Sequence, residues 1–259
     1  MDAFYRDLGN GRFESSTATA GPWNPELQHA GPPSGLLGAV VQRTAPREGF
    51  RVARVTLEVV RPVPVAELEV RVAVRHSSAR TELLDGEITA GGRTVMLARA
   101  WRLLESPADT PVIGHGPAAT PLPPVETPPP FGDAHTAGYL SAMEWRFLSG
   151  GGFTEAGPGE AWGRQRIPLI AEVDDTPLTR ALTIADTNWA VGSELDFVRR
   201  MVINTDVTVA LHRDPVGEWL CLRSETAAAP GGSGLASGRL DDVEGSCGRI
   251  LQTLFVGVR

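Results

Sequence analysis

The sequence DTPLTRALTIADTNW, residues 175–189, is the stretch that decides the fold. Its apolar residues recur at helical spacing, and Asp175 or Thr176 followed by Pro177 is a typical helix start. Alternating runs typical of β-strands follow at residues 202–211, 219–226, 233–241 and 249–258. One helix followed by meandering strands predicts an α+β unit in which an antiparallel sheet covers a single helix.

The first half of the chain carries the same order of elements. Pro32 and Pro33 suit the first turn of a helix whose apolar face begins at Leu36. Strand patterns follow at residues 52–60, 68–74, 81–89 and 94–103, after a plausible first strand at 12–20. Residues 106–130 contain nine prolines, which is typical of an extended linker. We therefore predict an N-terminal repeat at residues 1–105, a linker at 106–135 and a C-terminal repeat at 136–259.

The two halves align with each other, which indicates an internal duplication. Val55 falls on Val207 without a gap through the first strand, and the helix at Pro32 falls on the helix at Pro177. A unit of about 120 residues is too long for a solenoid repeat, so it indicates a duplicated domain, in effect a covalent dimer.

Some polar residues occur in only one of the two copies. In the alignment Asp186 falls on Val41, and Gln252 falls on Ala98. This asymmetry is expected if one of two pseudo-symmetric sites is kept for chemistry.

Several stretches together carry a resemblance to a known family. They are HAGPPSGLL (residues 29–37), the strand from Phe50 to Pro62, Asp186, DVTVALHR (residues 206–213) and the pair Leu251 and Gln252. In this order they resemble the double-hotdog acyl-CoA thioesterases, above all the acyl-CoA thioesterase II type and its actinobacterial relatives. The resemblance covers nearly the whole chain. It implies two tandem hotdog repeats, each an antiparallel sheet wrapped around a central helix, and at least a homodimer.

The resemblance also implies a set of catalytic residues. The family places an Asp, a Ser or Thr and a Gln around one water. By position the Asp is Asp186 and the Gln is Gln252, whereas the hydroxyl position falls on Asn204 with Thr205 beside it. This is a departure from the family pattern, because an amide replaces the hydroxyl. Coenzyme A is implied as part of the substrate, with no separate cofactor.

Thioester hydrolysis also needs hydrogen-bond donors for the developing oxyanion. Backbone N–H groups at the start of a helix are free and lie in a favourable dipole. The loop His29-Ala30-Gly31, directly before Pro32, is the candidate for this role. The dispersed histidines show no HxxxH or Cys/His cluster, so the sequence predicts no metal site.

Two alternatives remain open at this stage. A hotdog dehydratase or hydratase would pair His29 with Asp186 across the pseudo-dimer, and hydrogen-bond reach between the two through a shared ligand would favour it. The usual Phe-Pro pattern does not follow His29, and Gln252 would then have no role. A protein that binds an acyl chain or acyl-CoA without turnover would instead have Asp186 paired for structural reasons.

Composition restricts the partners and the location. The net charge of −7 and the lack of a basic run argue against nucleic acid, but a local basic patch could still hold coenzyme A. Arg199, Arg200 and Arg213 are the candidates near the predicted site. No apolar run approaches the ~20 residues of a membrane-spanning helix, and the charged N-terminus does not resemble a signal peptide. We therefore predict a cytoplasmic protein without a membrane partner.

Overall fold

The computed structural model describes residues 3–106, 109–111, 113–114, 120–124, 135–150, 156–195 and 199–258. The helices are α1 (Gly31–Arg43), α2 (Tyr139–Ala142), α3 (Pro177–Ala185) and α4 (Asn188–Val191). The strands of the first half are β1 (Tyr5–Gly9), β2 (Arg12–Ser15), β3 (Phe50–Val59), β4 (Glu67–Ser77), β5 (Thr81–Ala90) and β6 (Arg93–Leu104). Those of the second half are β7 (Met143–Ser149), β8 (Gly159–Gln165), β9 (Arg200–Asn204), β10 (Asp206–Leu211), β11 (Leu220–Ala228), β12 (Ser233–Asp242) and β13 (Gly245–Val258).

The strands form one antiparallel sheet whose order is symmetrical about its middle. The order is β1-β2-β4-β5-β6-β3-β10-β13-β12-β11-β8-β7, and β9 pairs with β13 outside this path. Outward from the central pair, β3 matches β10, β6 matches β13, β5 matches β12 and β4 matches β11. The first half of the sheet packs on α1 and the second half on α3. This architecture confirms the predicted α+β double hotdog.

The pseudo-twofold axis passes through the pair formed by β3 and β10. The alignment of Val55 with Val207 makes Thr208 the counterpart of Thr56, because both pairs are 152 residues apart (207 − 55 = 208 − 56). In the sheet Thr56 and Thr208 lie directly opposite each other, and the Thr208 hydroxyl donates to Thr56 Oγ1 at 3.1 Å. A residue that pairs with its own counterpart lies on the axis. The structure therefore confirms the duplication found in the sequence.

The strand register corrects one detail of that alignment. Ile250 on β13 occupies the place of Ala98 on β6, since each lies opposite a glycine of the neighbouring strand and the spacing is again 152 residues. The counterpart of Gln252 is therefore Ala100, so the predicted match with Ala98 was wrong by two residues. Ala100 is also apolar and fully buried, so Gln252 still occurs in one copy only.

The two central helices run antiparallel and in close contact. A side chain at Gly31 or Gly35 would overlap atoms of Thr183, so glycine is what allows the backbones to approach here. At the other end of the pair, the Thr176 hydroxyl donates to Gln42 Oε1 at 2.7 Å. The N-terminus of α1 therefore lies beside the C-terminus of α3, and this contact is where the candidate site forms.

Several local boundaries differ from the predictions. The helix is shorter than residues 175–189 suggest: α3 begins after its N-cap Thr176, and Asp186 is its C-cap. The predicted strand 202–211 is interrupted at Thr205, which separates β9 from β10. The predicted strand 12–20 ends at Ser15 and gives way to a 3-10 turn. The division at residues 105 and 135 stays a prediction, since much of the linker lies outside the described residues.

Candidate active site

Asp186 lies at the C-terminal end of α3 with only 3% of its surface exposed. Its Oδ1 accepts a hydrogen bond from the Asn204 amide at 2.6 Å, and its Oδ2 lies 3.1 Å from Nδ1 of His29. Asn204 comes from β9 and His29 from the loop before α1, so both halves of the chain contribute. A buried carboxylate is costly unless its oxygens are satisfied, and both of these neighbours lie within hydrogen-bond distance of it.

Gln252 is fully buried on β13 and holds the turn that carries Asp186. Its Nε2 donates to the backbone oxygen of Asp186 at 3.2 Å. Its Oε1 accepts from Nδ2 of Asn188 at 3.2 Å and from the backbone N–H of Trp189 at 2.9 Å. The oxygen therefore has both of its usual donors, whereas the second Nε2 hydrogen has no acceptor among the described residues. Gln252 could donate this hydrogen in a hydrogen bond to a water.

Asn188 and Ser224 extend this contact, and neither was singled out from the sequence. The Ser224 hydroxyl lies within hydrogen-bond distance of both the backbone and the side-chain oxygen of Asn188. A Cβ at Gly238 would collide with the Asn188 side chain, so the strand makes room for the amide. Asn188 is the polar residue of the otherwise apolar α4, whereas Ser224 lies among other polar residues of β11, so neither pattern assigns a residue to one site from a single sequence.

Tyr139 is a second residue that the sequence did not reveal. Its ring stacks on the ring of His29, with centroids 3.8 Å apart and planes 10° from parallel. Its hydroxyl donates to the backbone oxygen of Thr183 at 3.0 Å and lies 2.9 Å from Oγ1 of Thr187. Tyr139 thus fixes the plane of the imidazole and joins it to the end of α3. Burial raises the pKa of Tyr139, so the phenol stays protonated.

His29 is held as a neutral imidazole. Burial lowers its pKa below the ordinary value, and the nearby charge of Asp186 opposes this change only in part. The N–H of Gly31 points at the same Nδ1 atom of His29 at 3.1 Å. Gly31 is the first residue of α1, and Ala30 is its N-cap without a side-chain hydrogen bond. Of the predicted loop residues, the structure thus brings His29 to Asp186 and Gly31 to His29.

Two predicted groups lie elsewhere. Thr205 is exposed, and its hydroxyl lies within hydrogen-bond distance of Asp206 and of the Thr253 backbone oxygen, not of Asp186. Arg213 forms a bidentate ion pair with the buried Asp242 and also donates to Gly245. Of the two residues considered for the hydroxyl position, only Asn204 reaches the carboxylate.

The opposite end of the helix pair is the pseudo-symmetric counterpart of this site. It forms a cavity of about 90 Å³ between the end of α1 and the start of α3, lined by residues that include Gln42, Arg43, Thr176 and Thr179. It has no pair like His29 and Asp186 among its lining residues. Among the described residues, the two ends of the helix pair therefore differ in their polar residues, as the two halves of the sequence do.

Two further features are absent from the described residues. No group of three or more His, Cys, Asp or Glu side chains is arranged to hold a metal ion. No helix in the same part of the chain is long and apolar enough to cross a membrane.

Fold and site together define a double-hotdog protein with one polar site at the junction of its halves. The family model for the acyl-CoA thioesterase C-terminal domain matches residues 118–256, and that for the N-terminal domain matches residues 19–103. The chain belongs to the acyl-CoA thioesterase family. No curated protein gives a significant sequence match.

Solved structures with low sequence identity share the fold over its full length. A hot dog fold protein from Alicyclobacillus acidocaldarius superposes with a TM-score of 0.75 at 13% identity, covering 98% of this chain and 96% of that one. The acyl-CoA thioesterase II TesB2 from Mycobacterium marinum gives a TM-score of 0.70 at 14% identity, covering 98% and 95%. The tesB protein of Mycobacterium avium subspecies paratuberculosis gives 0.66 at 16% identity, covering 98% and 96%.

Proposed function

We propose that the protein hydrolyses acyl-CoA thioesters to the free acid and coenzyme A, using a water activated by Asp186. One observation carries this proposal. Asp186 is a buried carboxylate whose oxygens are held by Asn204 and His29, directly beside the N-terminus of α1. A buried base next to the start of a helix suits attack on a carbonyl group, because the proton and the negative charge are handled on opposite sides.

The reaction balances with the groups present. The water oxygen attacks the thioester carbon while Asp186 takes one of its protons. The carbonyl oxygen becomes an oxyanion facing the start of α1, where the helix dipole and the Gly31 N–H favour negative charge. The carbon–sulfur bond then breaks, and the proton on Asp186 passes to the leaving thiolate. Coenzyme A and the acid are released, and the carboxylate is restored.

Gln252 has two proposed roles in this scheme. Its contacts with Asp186, Asn188 and Trp189 support a positioning role, because they fix the backbone turn at the carboxylate. Its remaining Nε2 hydrogen supports the role expected from the family resemblance, a donor to the attacking water. Both roles require the amide, and an apolar residue of equal size would supply neither.

The test is thiol release from a panel of acyl-CoAs of short, medium and long chain. We expect turnover of at least one chain length, because the site combines a base with an oxyanion donor. Free acid and free thiol should appear in equal amounts. No thiol release from any member of the panel, by a protein that still binds acyl-CoA tightly, would contradict the proposal and support a binding protein.

One specific observation supports a second candidate function, dehydration or hydration. His29 and Asp186 lie 3.1 Å apart, within hydrogen-bond reach, as a dehydratase or hydratase pair would need. The two groups touch directly, however, and the structure gives no substrate-sized gap between these two atoms. The same panel should include enoyl-CoA thioesters, monitored for loss of the conjugated double bond. Hydration without thiol release would assign the site to this second function.

We also propose that the chain forms at least a homodimer. Apolar side chains on the outer face of β9, β12 and β13 are each 44–47% exposed: Ile203, Leu235, Leu251 and Phe255. Exposed apolar side chains that adjoin on one sheet face are typical of an interaction surface. Light scattering should give a mass of at least two chains, and Phe255→Lys should lower it. The single-chain mass for the wild type would contradict the proposal.

A further inference from the structure

One nitrogen atom in the site has two partners with conflicting demands. Nδ1 of His29 lies 3.1 Å from Asp186 Oδ2 and 3.1 Å from the Gly31 nitrogen. A backbone N–H can only donate, and a carboxylate can only accept. A neutral imidazole carries a hydrogen on one of its two nitrogens, so Nδ1 either donates to Asp186 or accepts from Gly31. It cannot do both.

The residues around the His29 imidazole hold it next to both partners. Tyr139 stacks on the imidazole at 3.8 Å and is itself fixed through Thr183 and Thr187. The stacking therefore resists a tilt of the imidazole out of its plane. Burial keeps the imidazole neutral, because it lowers the pKa of His29. No other acceptor for the Gly31 N–H occurs among the described residues.

We propose that Nδ1 of His29 carries its hydrogen and donates it to Asp186, and that this leaves the N–H of Gly31 free for the carbonyl oxygen of the thioester. The inference rests on the proposed function in one respect, because a base that takes a proton from water must start as a carboxylate. His29 is then a positioning residue. It couples the charge of the base to the availability of the oxyanion donor, although it touches neither the water nor the thioester.

The opposite arrangement would disable both groups at once. If Nδ1 accepted from Gly31, its lone pair would face the Asp186 carboxylate, and two acceptors at 3.1 Å repel each other. The oxyanion donor would also be occupied inside the protein. The proposed form brings two donors, Nδ1–H and the Gly31 N–H, to the same distance, but the full charge of Asp186 outweighs the partial charge of a backbone N–H. A charged Asp186 therefore favours the form in which the donor is free. When Asp186 loses its charge, Nδ1 no longer favours carrying the hydrogen, and the Gly31 N–H then donates to Nδ1.

The position of the hydrogen can be measured directly by ¹⁵N NMR on protein labelled at histidine. The chain has five histidines, and comparison with His29→Asn identifies the signals of His29. For the wild type near neutral pH we expect the hydrogen on Nδ1. For Asp186→Ala we expect it on Nε2, because Gly31 becomes the only partner of Nδ1.

The outcomes are separable from those of the proposed function, since the measurement needs neither substrate nor turnover. Hydrogen on Nε2 in the wild type, or a doubly protonated ring, would overturn the inference whatever the activity. The same tautomer in both proteins would also overturn it. If Asp186→Ala does not fold, the wild-type spectrum alone decides. If Nδ1 carries the hydrogen but the protein has no thioesterase activity, the inference about His29 stands and the proposed function is wrong.

Kinetics provide a second measurement for an active protein. His29→Ala should lower kcat by about tenfold to a hundredfold with little change in KM, because the charged Oδ2 of Asp186 loses the hydrogen bond that orients it. His29→Asn should recover at least part of the loss, because its side-chain amide can still donate towards Asp186. The control is His212→Ala, which changes an exposed histidine at the end of β10 and should leave kcat unchanged. Equal kcat values for the Ala and Asn variants would contradict the positioning role.

Discussion

Asp186→Asn is expected to lower kcat for thioester hydrolysis by at least about a hundredfold, because an amide cannot take a proton from water. The substitution keeps the size of the side chain. Its oxygen can still accept from Asn204, which now holds Oδ1 at 2.6 Å. The loss should therefore appear in kcat, while the fold and the affinity for acyl-CoA change little. Thiol release under saturating acyl-CoA, with the chain length that the wild type prefers, measures it.

Asp206→Asn is the matched control for this prediction. Asp206 is two residues from Asn204, but its carboxylate faces the Thr253 backbone N–H at 3.0 Å and not the site. An asparagine can make the same contact through its oxygen, so we expect kcat within a factor of about two of the wild type, as for surface changes away from special features. A folded Asp186→Asn protein with wild-type kcat would rule out Asp186 as the base.

The fold was predictable because its signals are periodic and occur twice. Helix and strand patterns in residues 1–105 return in residues 136–259, and the gap-free match of Val55 with Val207 agrees with the pairing of β3 and β10 about Thr56. Strand ends were less predictable, since the interruption at Thr205 depends on how β9 and β10 pair with two successive segments of β13.

The site was predictable only where a residue was polar in an apolar pattern. Asp186, Asn204 and Gln252 satisfy that condition, and the structure joins them through side-chain and backbone contacts. Tyr139 does not, because an aromatic residue after a proline-rich segment indicates only packing. Its role depends on stacking with His29, which is more than a hundred residues away in sequence and adjacent only in the folded chain.

Stability should depend on a different residue, Arg102. This side chain is only 3% exposed and lies at the C-terminal end of α1. Its guanidinium donates to the backbone oxygens of Val41, Thr44 and Ala45 and lies 3.4 Å from the buried carboxylate of Glu82. One cation therefore satisfies helix-end carbonyls that α1 cannot satisfy itself, and also neutralises a buried charge.

Arg102→Leu is expected to lower the free energy of unfolding by about 3–5 kcal/mol, because it leaves the buried helix-end carbonyls without their donor and Glu82 with only Arg47 and Ser77 as partners. Urea unfolding should show a lower midpoint with an unchanged m-value. Arg99→Leu is the matched control on the same strand. Arg99 pairs with Asp85 but is 60% exposed, so its loss should cost at most about 1 kcal/mol.

The same variant separates stability from chemistry. Arg102 holds the far end of α1, and thirteen residues at 1.5 Å each place it about 20 Å from the Gly31 end that faces Asp186. At temperatures where Arg102→Leu remains folded, kcat should therefore stay close to the wild-type value. A loss of kcat equal to that of Asp186→Asn would show that the helix transmits changes from one end to the other. A destabilisation no larger than that of Arg99→Leu would show that the buried ion pair contributes little to the fold.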